Sequence, residues 1–161
     1  VAKQVRKKIS RPQPRRKVKA VQANPAKPKK EVSVMAWIED AYGNILMVKQ
    51  AQGKKAWTLP GGKVKQRESL LGALVREVRQ ETGLIVSCAA PIDLMDRPRK
   101  SVLTILFRVL LKPGAFRIRR TREIQTGGFR KTLPKDTTPS AQFFWTRAQK
   151  TFDPISVLTE L

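Results

Sequence analysis

The stretch from Pro60 to Leu84, PGGKVKQRESLLGALVREVRQETGL, constrains this chain more than any other. It reads as a glycine-marked loop, then an amphipathic helix, then a glycine stop. Gly61 and Gly62 permit backbone geometries or close approaches that a side chain forbids. Ser69 is a good N-cap, so the helix is expected to run from there to Thr82, with Gly83 as its C-terminal stop. Leu70, Leu71, Leu74, Val75 and Val78 recur at i, i+1, i+4, i+5 and i+8, one apolar arc that predicts a buried face. At about 100° per residue, Glu77 and Glu81 lie roughly 40° apart beside that arc.

Two carboxylates one helical turn apart repel each other. One resolution leaves them facing solvent and paired with Arg76 or Arg79. The other is a hard divalent cation, Mg²⁺ or Mn²⁺, which takes oxygen ligands and accepts phosphate oxygens in its remaining positions. Such an ion shields phosphate charge, polarises the reacting phosphorus and supplies a hydroxide-like water. Composition sharpens the choice, because the 161 residues include no histidine. That removes Ser-His-Asp and Cys-His catalysis, histidine-ligated zinc and a histidine base. Acid–base or metal chemistry here must rest on carboxylates. The single cysteine, Cys88, excludes an internal disulfide and, lying in the apolar run 84–90, is expected to be a buried, inert thiol.

The rest of the chain divides at residue 31. Residues 1–31 carry twelve Lys/Arg against one acid, Glu31, with several prolines and little to bury. They are expected to form a disordered basic arm, and residues 32–161 the folded domain. The net charge of +22 is shared by both parts and suits polyanionic partners: nucleic acid, ribosome or a phosphorylated small molecule. The arm lacks aromatics for base stacking, so nucleic-acid binding through it stands beside a plain solubilising role. No apolar run reaches the ~20 residues of a membrane span and residues 1–31 hold no signal-type apolar core, which predicts a soluble cytoplasmic protein.

Within the domain, residues 32–38 predict a strand, residues 39–44 a turn, and residues 45–49 the return strand of a hairpin. Residues 57–59 are extended ahead of Pro60. Residues 84–89 predict a further strand, followed by a loop at Pro91 and a separate extended piece over 92–96. Val102–Leu111, apolar on both faces, predicts a central strand. Residues 112–139 carry no readable pattern. Gln142–Thr146 predicts a final strand and Ile155–Leu161 a closing helix. Together these give an α+β sandwich with a mixed sheet.

The opening stretch resembles the signature of the Nudix hydrolases, Gly-x5-Glu-x7-Arg-Glu-U-x-Glu-Glu-x-Gly-U, where U is a bulky aliphatic residue. Gly62, Glu68, Arg76, Glu77, Val78, Glu81, Gly83 and Leu84 fill eight of its nine specified positions, at every required spacing. Trp57-Thr58-Leu59-Pro60-Gly61-Gly62 also resembles the segment leading into that motif in MutT-like members. The resemblance covers roughly residues 32–147. It implies an α/β/α sandwich fold and a Mg²⁺- or Mn²⁺-dependent pyrophosphohydrolase that cleaves a nucleoside diphosphate linked to another moiety. Under it, Glu81 is a metal ligand and Glu77 a ligand or water-activating base. Arg76 orients the glutamates, Glu68 is a supporting carboxylate, and the Gly62 carbonyl is a further ligand. The departure is Gln80, where the pattern has a glutamate: its amide oxygen still suits a hard cation but brings no charge. Arg67 stands where a glycine often precedes the first glutamate. A further acid from a later loop is implied, with Glu123 and Asp136 as candidates. The competing reading is a Nudix-fold module with impaired chemistry that binds nucleic acid. The substrate-binding residues are not specified by the sequence, nor is the oligomeric state, with which a homodimer is compatible.

Overall fold

A computed structural model describes residues 30–114, 118 and 120–151. Most of the basic arm (1–29) and the expected closing helix (155–161) lie outside the described residues. In order, the elements are β1 (Glu31–Trp37), β2 (Ile45–Gln50), β3 (Trp57–Thr58), β4 (Gly61–Lys63), α1 (Leu70–Thr82), β5 (Val86–Arg97), β6 (Val102–Leu111), β7 (Ile124–Arg130) and α2 (Pro139–Thr151). A short 3-10 turn, Pro98–Lys100, joins β5 to β6.

The strands form two sheets, ordered β4-β1-β6-β5 and β3-β2-β7. The first is mixed: β1 and β6 run parallel from Glu31 opposite Val102 to Trp37 opposite Arg108, while β4 and β5 are antiparallel to their neighbours. As its apolar residues on both faces predict, β6 is internal to this sheet. Successive β6 residues face opposite ways. Phe107 and Val109 join the core beneath α1 with Val34, Ala36, Leu74 and Val78, and Leu106 joins the core beneath α2 with Trp37, Phe144 and Trp145. The two helices therefore cover opposite faces, giving a three-layered α+β sandwich. No described helix is long and apolar enough to cross a membrane.

Four expectations are corrected. Residues 32–49 do not make a hairpin: the turn holds through the Glu39–Ile45 bridge, then β1 and β2 diverge into different sheets. Their inward residues belong to both cores, and that burial outweighs local pairing. Residues 86–97 form one strand, because bulges at 86–88 and 91–93 absorb Pro91 without ending the ladder. Residues 142–146 are helical. Ala141, Phe144, Trp145 and Ala148 are buried at i, i+3, i+4 and i+7, which overrides the β propensity of Phe-Phe-Trp. Thr138 opens that helix, its Oγ1 accepting from the Ala141 N–H at 3.4 Å, with Pro139 in the first helical position. Cys88 is exposed, because β5 is an edge strand with few buried positions.

Strand β7 arises from the segment that carried no readable pattern. Gly127 is required there because a Cβ would stand 2.9 Å from the Met47 carbonyl oxygen and 3.2 Å from the Val48 side chain. Two glycines remove the alternation that marks a strand in sequence.

Candidate active site

Helix α1 has the predicted bounds. The Ser69 hydroxyl accepts from the Gly72 N–H at 3.0 Å, and Gly83 is left-handed (φ 74°) with its N–H bonded to the Arg79 carbonyl. Its orientation differs from the expected one. Leu74 and Val78 are buried, but Leu71 is 50 % and Val75 42 % exposed, while Glu77 and Glu81 are only 8 % and 7 % exposed. The helix is thus turned so that two carboxylates share the buried face with Ala73, Leu74, Val78 and Thr82. Buried carboxylates must find donors, and both do.

Glu81 accepts the Gly61 N–H at 2.8 Å. Burial, opposed by that hydrogen bond and reinforced by the carboxylates of Glu77 and Glu123, pushes the Glu81 carboxyl up to about 8. Glu77 accepts from Arg76 Nη1 at 2.6 Å. Its carboxylate lies against Gly62, where a Cβ would stand 2.6 Å from the Glu77 Cδ. The two glycines therefore let a loop backbone touch two acids at once, and Gly62 carries no side chain for that reason.

Arg76 binds the site together. Its Nε and Nη2 donate to the two oxygens of Glu68 at 2.7 and 2.8 Å, a bidentate pair. The guanidinium also donates to Glu77, to the Lys63 carbonyl (3.1 Å) and to the Gln80 amide oxygen (3.3 Å). Its pKa is raised, first by Glu68, so it stays charged throughout. The same pair and the Lys65 N–H hold the Glu68 carboxyl down to about 2. Because this pKa is depressed, the contribution is complete above about pH 4.5 and is lost as pH falls through about 2. The thermal midpoint of wild type is expected to exceed that of Glu68→Gln at pH 6, with the gap closing towards pH 2. An unchanged gap across that range would contradict the pairing.

The turn that delivers Glu68 is strained at Arg67, which has φ 64°. Glycine reaches that region without penalty, and other residues pay roughly 1 kcal/mol. Arg67 is exposed. Arg67→Gly is therefore expected to stabilise the fold by about 0.5–1 kcal/mol in urea denaturation. Destabilisation would mean that the side chain has a role the backbone does not reveal.

Gly62, Arg76, Glu77, Gln80 and Glu81 line one open cleft of about 970 Å³, and Glu123 stands on its wall at the start of β7. The structure separates the two later acids: Asp136 is exposed, does not line this cleft, and contributes its carbonyl to the Trp57 N–H instead. Glu68 sits behind the cleft wall, joined to it through Arg76. Gln50, Gln52, Lys54, Lys65, Ile124, Thr137 and Thr138 also line the cleft and were not singled out by the sequence reading. Lys65 stands at an unspecified position of the signature, and the others come from loops and element ends without a motif. Among the described residues, no three acid, cysteine or histidine side chains gather closely enough to hold an ion alone. A cation here would need the Gln80 amide oxygen or main-chain oxygens besides Glu77 and Glu81.

A family model described as the NUDIX domain matches residues 29–135. The chain belongs to the Nudix hydrolase family. It is 32 % identical over 130 residues to an 8-oxo-dGDP phosphatase of Danio rerio, covering 78 % of this chain and 35 % of that protein. The chain spans about a third of the length of the curated relatives it matches. Among solved structures, it resembles a MutT Nudix hydrolase from Burkholderia pseudomallei with a TM-score of 0.62 at 23 % identity, covering 70 % of this chain and 93 % of that one. It also resembles a bifunctional NMN adenylyltransferase/ADP-ribose pyrophosphatase from Francisella tularensis, solved with AMP and a manganese ion (TM-score 0.60, 20 % identity, covering 80 % and 43 %). These likenesses show that the sandwich is the Nudix fold.

Proposed function

We propose that this Nudix protein is a divalent-cation-dependent pyrophosphohydrolase that cleaves the diphosphate linkage of a nucleotide-type substrate. The observation that carries this reading is the burial of Glu77 and Glu81 side by side on an open cleft, each held by a loop glycine or by Arg76. Buried neighbouring carboxylates are costly unless a cation offsets them. The donor set fits a hard ion: two carboxylates, the Gln80 amide oxygen and the main chain at Gly62, all oxygen ligands. When bound, Mg²⁺ or Mn²⁺ would neutralise phosphate charge and lower the pKa of a water. Related proteins named an 8-oxo-dGDP phosphatase and an RNA pyrophosphohydrolase support a phosphate-hydrolysing reaction on a nucleotide-type substrate.

The protein's own contribution is arrangement. Gly61 N–H fixes the Glu81 carboxylate, and Arg76 fixes Glu77 through a second anchor at Glu68. Glu77 serves as ligand or as acceptor of the proton from the attacking water. Glu123 supplies negative charge that Gln80 lacks. Preorganisation of this kind lowers the reorganisation needed when charge develops on the phosphate. The test is a panel of nucleoside di- and triphosphates, nucleotide sugars and 5′-triphosphorylated RNA, incubated with Mg²⁺ or Mn²⁺ and with EDTA. Turnover abolished by EDTA is the expected result, and no turnover of any member would sink the proposal.

A further inference from the structure

Four cationic side chains line the catalytic cleft: Lys54, Lys63, Lys65 and Arg76. Three already serve other groups. Arg76 is committed to Glu68 and Glu77, and Lys63 Nζ reaches Glu31 at 2.7 Å. Lys65 stands beside Glu68 and helps hold that carboxylate charged. Lys54 makes no ion pair with an acid among the described residues.

The loop presenting Lys54 is built rather than loose. Gly53 (φ 63°) and Lys55 (φ 50°) both adopt left-handed backbone, and only one of them is a glycine. The Lys55 N–H bonds to the Gln52 carbonyl at 3.3 Å, and the Gln50 N–H closes the loop on the Ala56 carbonyl at 3.0 Å. Two further bonds staple it to the chain entering β7: Ala51 N–H to the Glu123 carbonyl (2.7 Å) and Gln52 Nε2 to the Arg122 carbonyl (3.1 Å). The outcome is directional, since Lys54 lines the cleft and Lys55 does not.

We propose that Lys54 is a specificity-determining residue that contacts the part of the substrate's phosphate chain left unneutralised at the Glu77–Glu81 centre. This rests on the pyrophosphohydrolase reading. The centre has acids of its own in Glu77, Glu81 and Glu123, which consume much of the charge of a divalent ion. A polyphosphate therefore keeps negative charge that only an uncommitted cation can meet. The contribution of Lys54 therefore grows with the phosphate charge left over, and is larger for a triphosphate than for its diphosphate.

The test compares Lys54→Gln and Lys54→Arg with Lys55→Gln, a neighbouring exposed lysine that removes the same charge outside the cleft. Steady-state kinetics on a nucleoside triphosphate and its diphosphate would be paired with calorimetric binding of inorganic pyrophosphate in Mg²⁺. Lys54→Gln is expected to raise KM for the triphosphate about tenfold, the size of one charge-assisted hydrogen bond, with kcat within about twofold. The diphosphate KM should rise less, pyrophosphate binding should weaken about tenfold, Lys54→Arg should recover most of the loss, and Lys55→Gln should stay near wild type. Lys54→Gln indistinguishable from wild type, or matched by Lys55→Gln, overturns the proposal. A wild type that turns over no substrate contradicts the hydrolase reading separately, and pyrophosphate binding then still decides whether Lys54 is a phosphate contact.

Discussion

Glu81→Gln is expected to lower kcat/KM by about 10²–10³-fold, the loss typical of removing one preorganised electrostatic group from a catalytic centre. The substitution keeps shape, volume and an oxygen acceptor for the Gly61 N–H, which now bonds to Glu81 at 2.8 Å. It removes only the charge. Since burial already pushes that carboxyl up towards about 8, the fold itself gains little from its ionisation. Stability in urea should therefore stay within about 1 kcal/mol of wild type in mildly acidic solution, and exceed it increasingly as pH rises towards about 8, where wild type must carry a buried charge. This split, activity lost and fold kept, is what a cation-binding role requires. A variant that loses both together would indicate a structural acid.

Gly61→Ala should do the reverse and break the fold. Gly61 pairs with Met35 across the β4–β1 ladder and has φ 152°. An added Cβ would overlap the Val34 carbonyl oxygen and stand 2.8 Å from the Met35 Cα. Neither neighbour is the flexible end of a side chain, and Val34 is fully buried. A strained backbone costs roughly 1–3 kcal/mol, and a clash with paired backbone adds to it, so a loss of about 3–5 kcal/mol is expected. In urea denaturation this appears as a midpoint far below wild type, or as protein recovered only in inclusion bodies. A loss under about 1 kcal/mol would mean that β4 shifts freely, and the Gly61–Glu81 contact could then not be a fixed part of the site.

The bounds of α1 were legible because capping is local: Ser69 and Gly83 act on their own helix whatever packs around it. The side it buries was not. The apolar arc predicts burial of Leu71 and Val75, whereas the protein buries Glu77 and Glu81 and leaves those two side chains half exposed. The glycine loop explains this, since its backbone is built to receive carboxylates, and periodicity carries no record of a partner 20 residues away. The same reason hid β7, whose glycines answer to β2; residues 142–146 differ, since there the i, i+3, i+4 spacing is local and outweighs the strand propensity of Phe-Phe-Trp. The placing of Glu77 and Glu81 one turn apart on α1 was thus readable from spacing, but the loops that line the cleft with them were not. Of Glu123 and Asp136, the fold brings only Glu123 to the cleft, where the bond from Ala51 N–H to the Glu123 carbonyl folds the β2–β3 loop against the start of β7.

The most direct test of the central claim is a titration with Mn²⁺, following free ion by electron paramagnetic resonance in wild type and Glu81→Gln. The account predicts a saturable site in wild type that Mg²⁺ competes away and that Glu81→Gln weakens at least tenfold. Equal Mn²⁺ binding by both proteins would contradict it, because Glu81 would then not help to hold the ion on which the proposed hydrolysis depends.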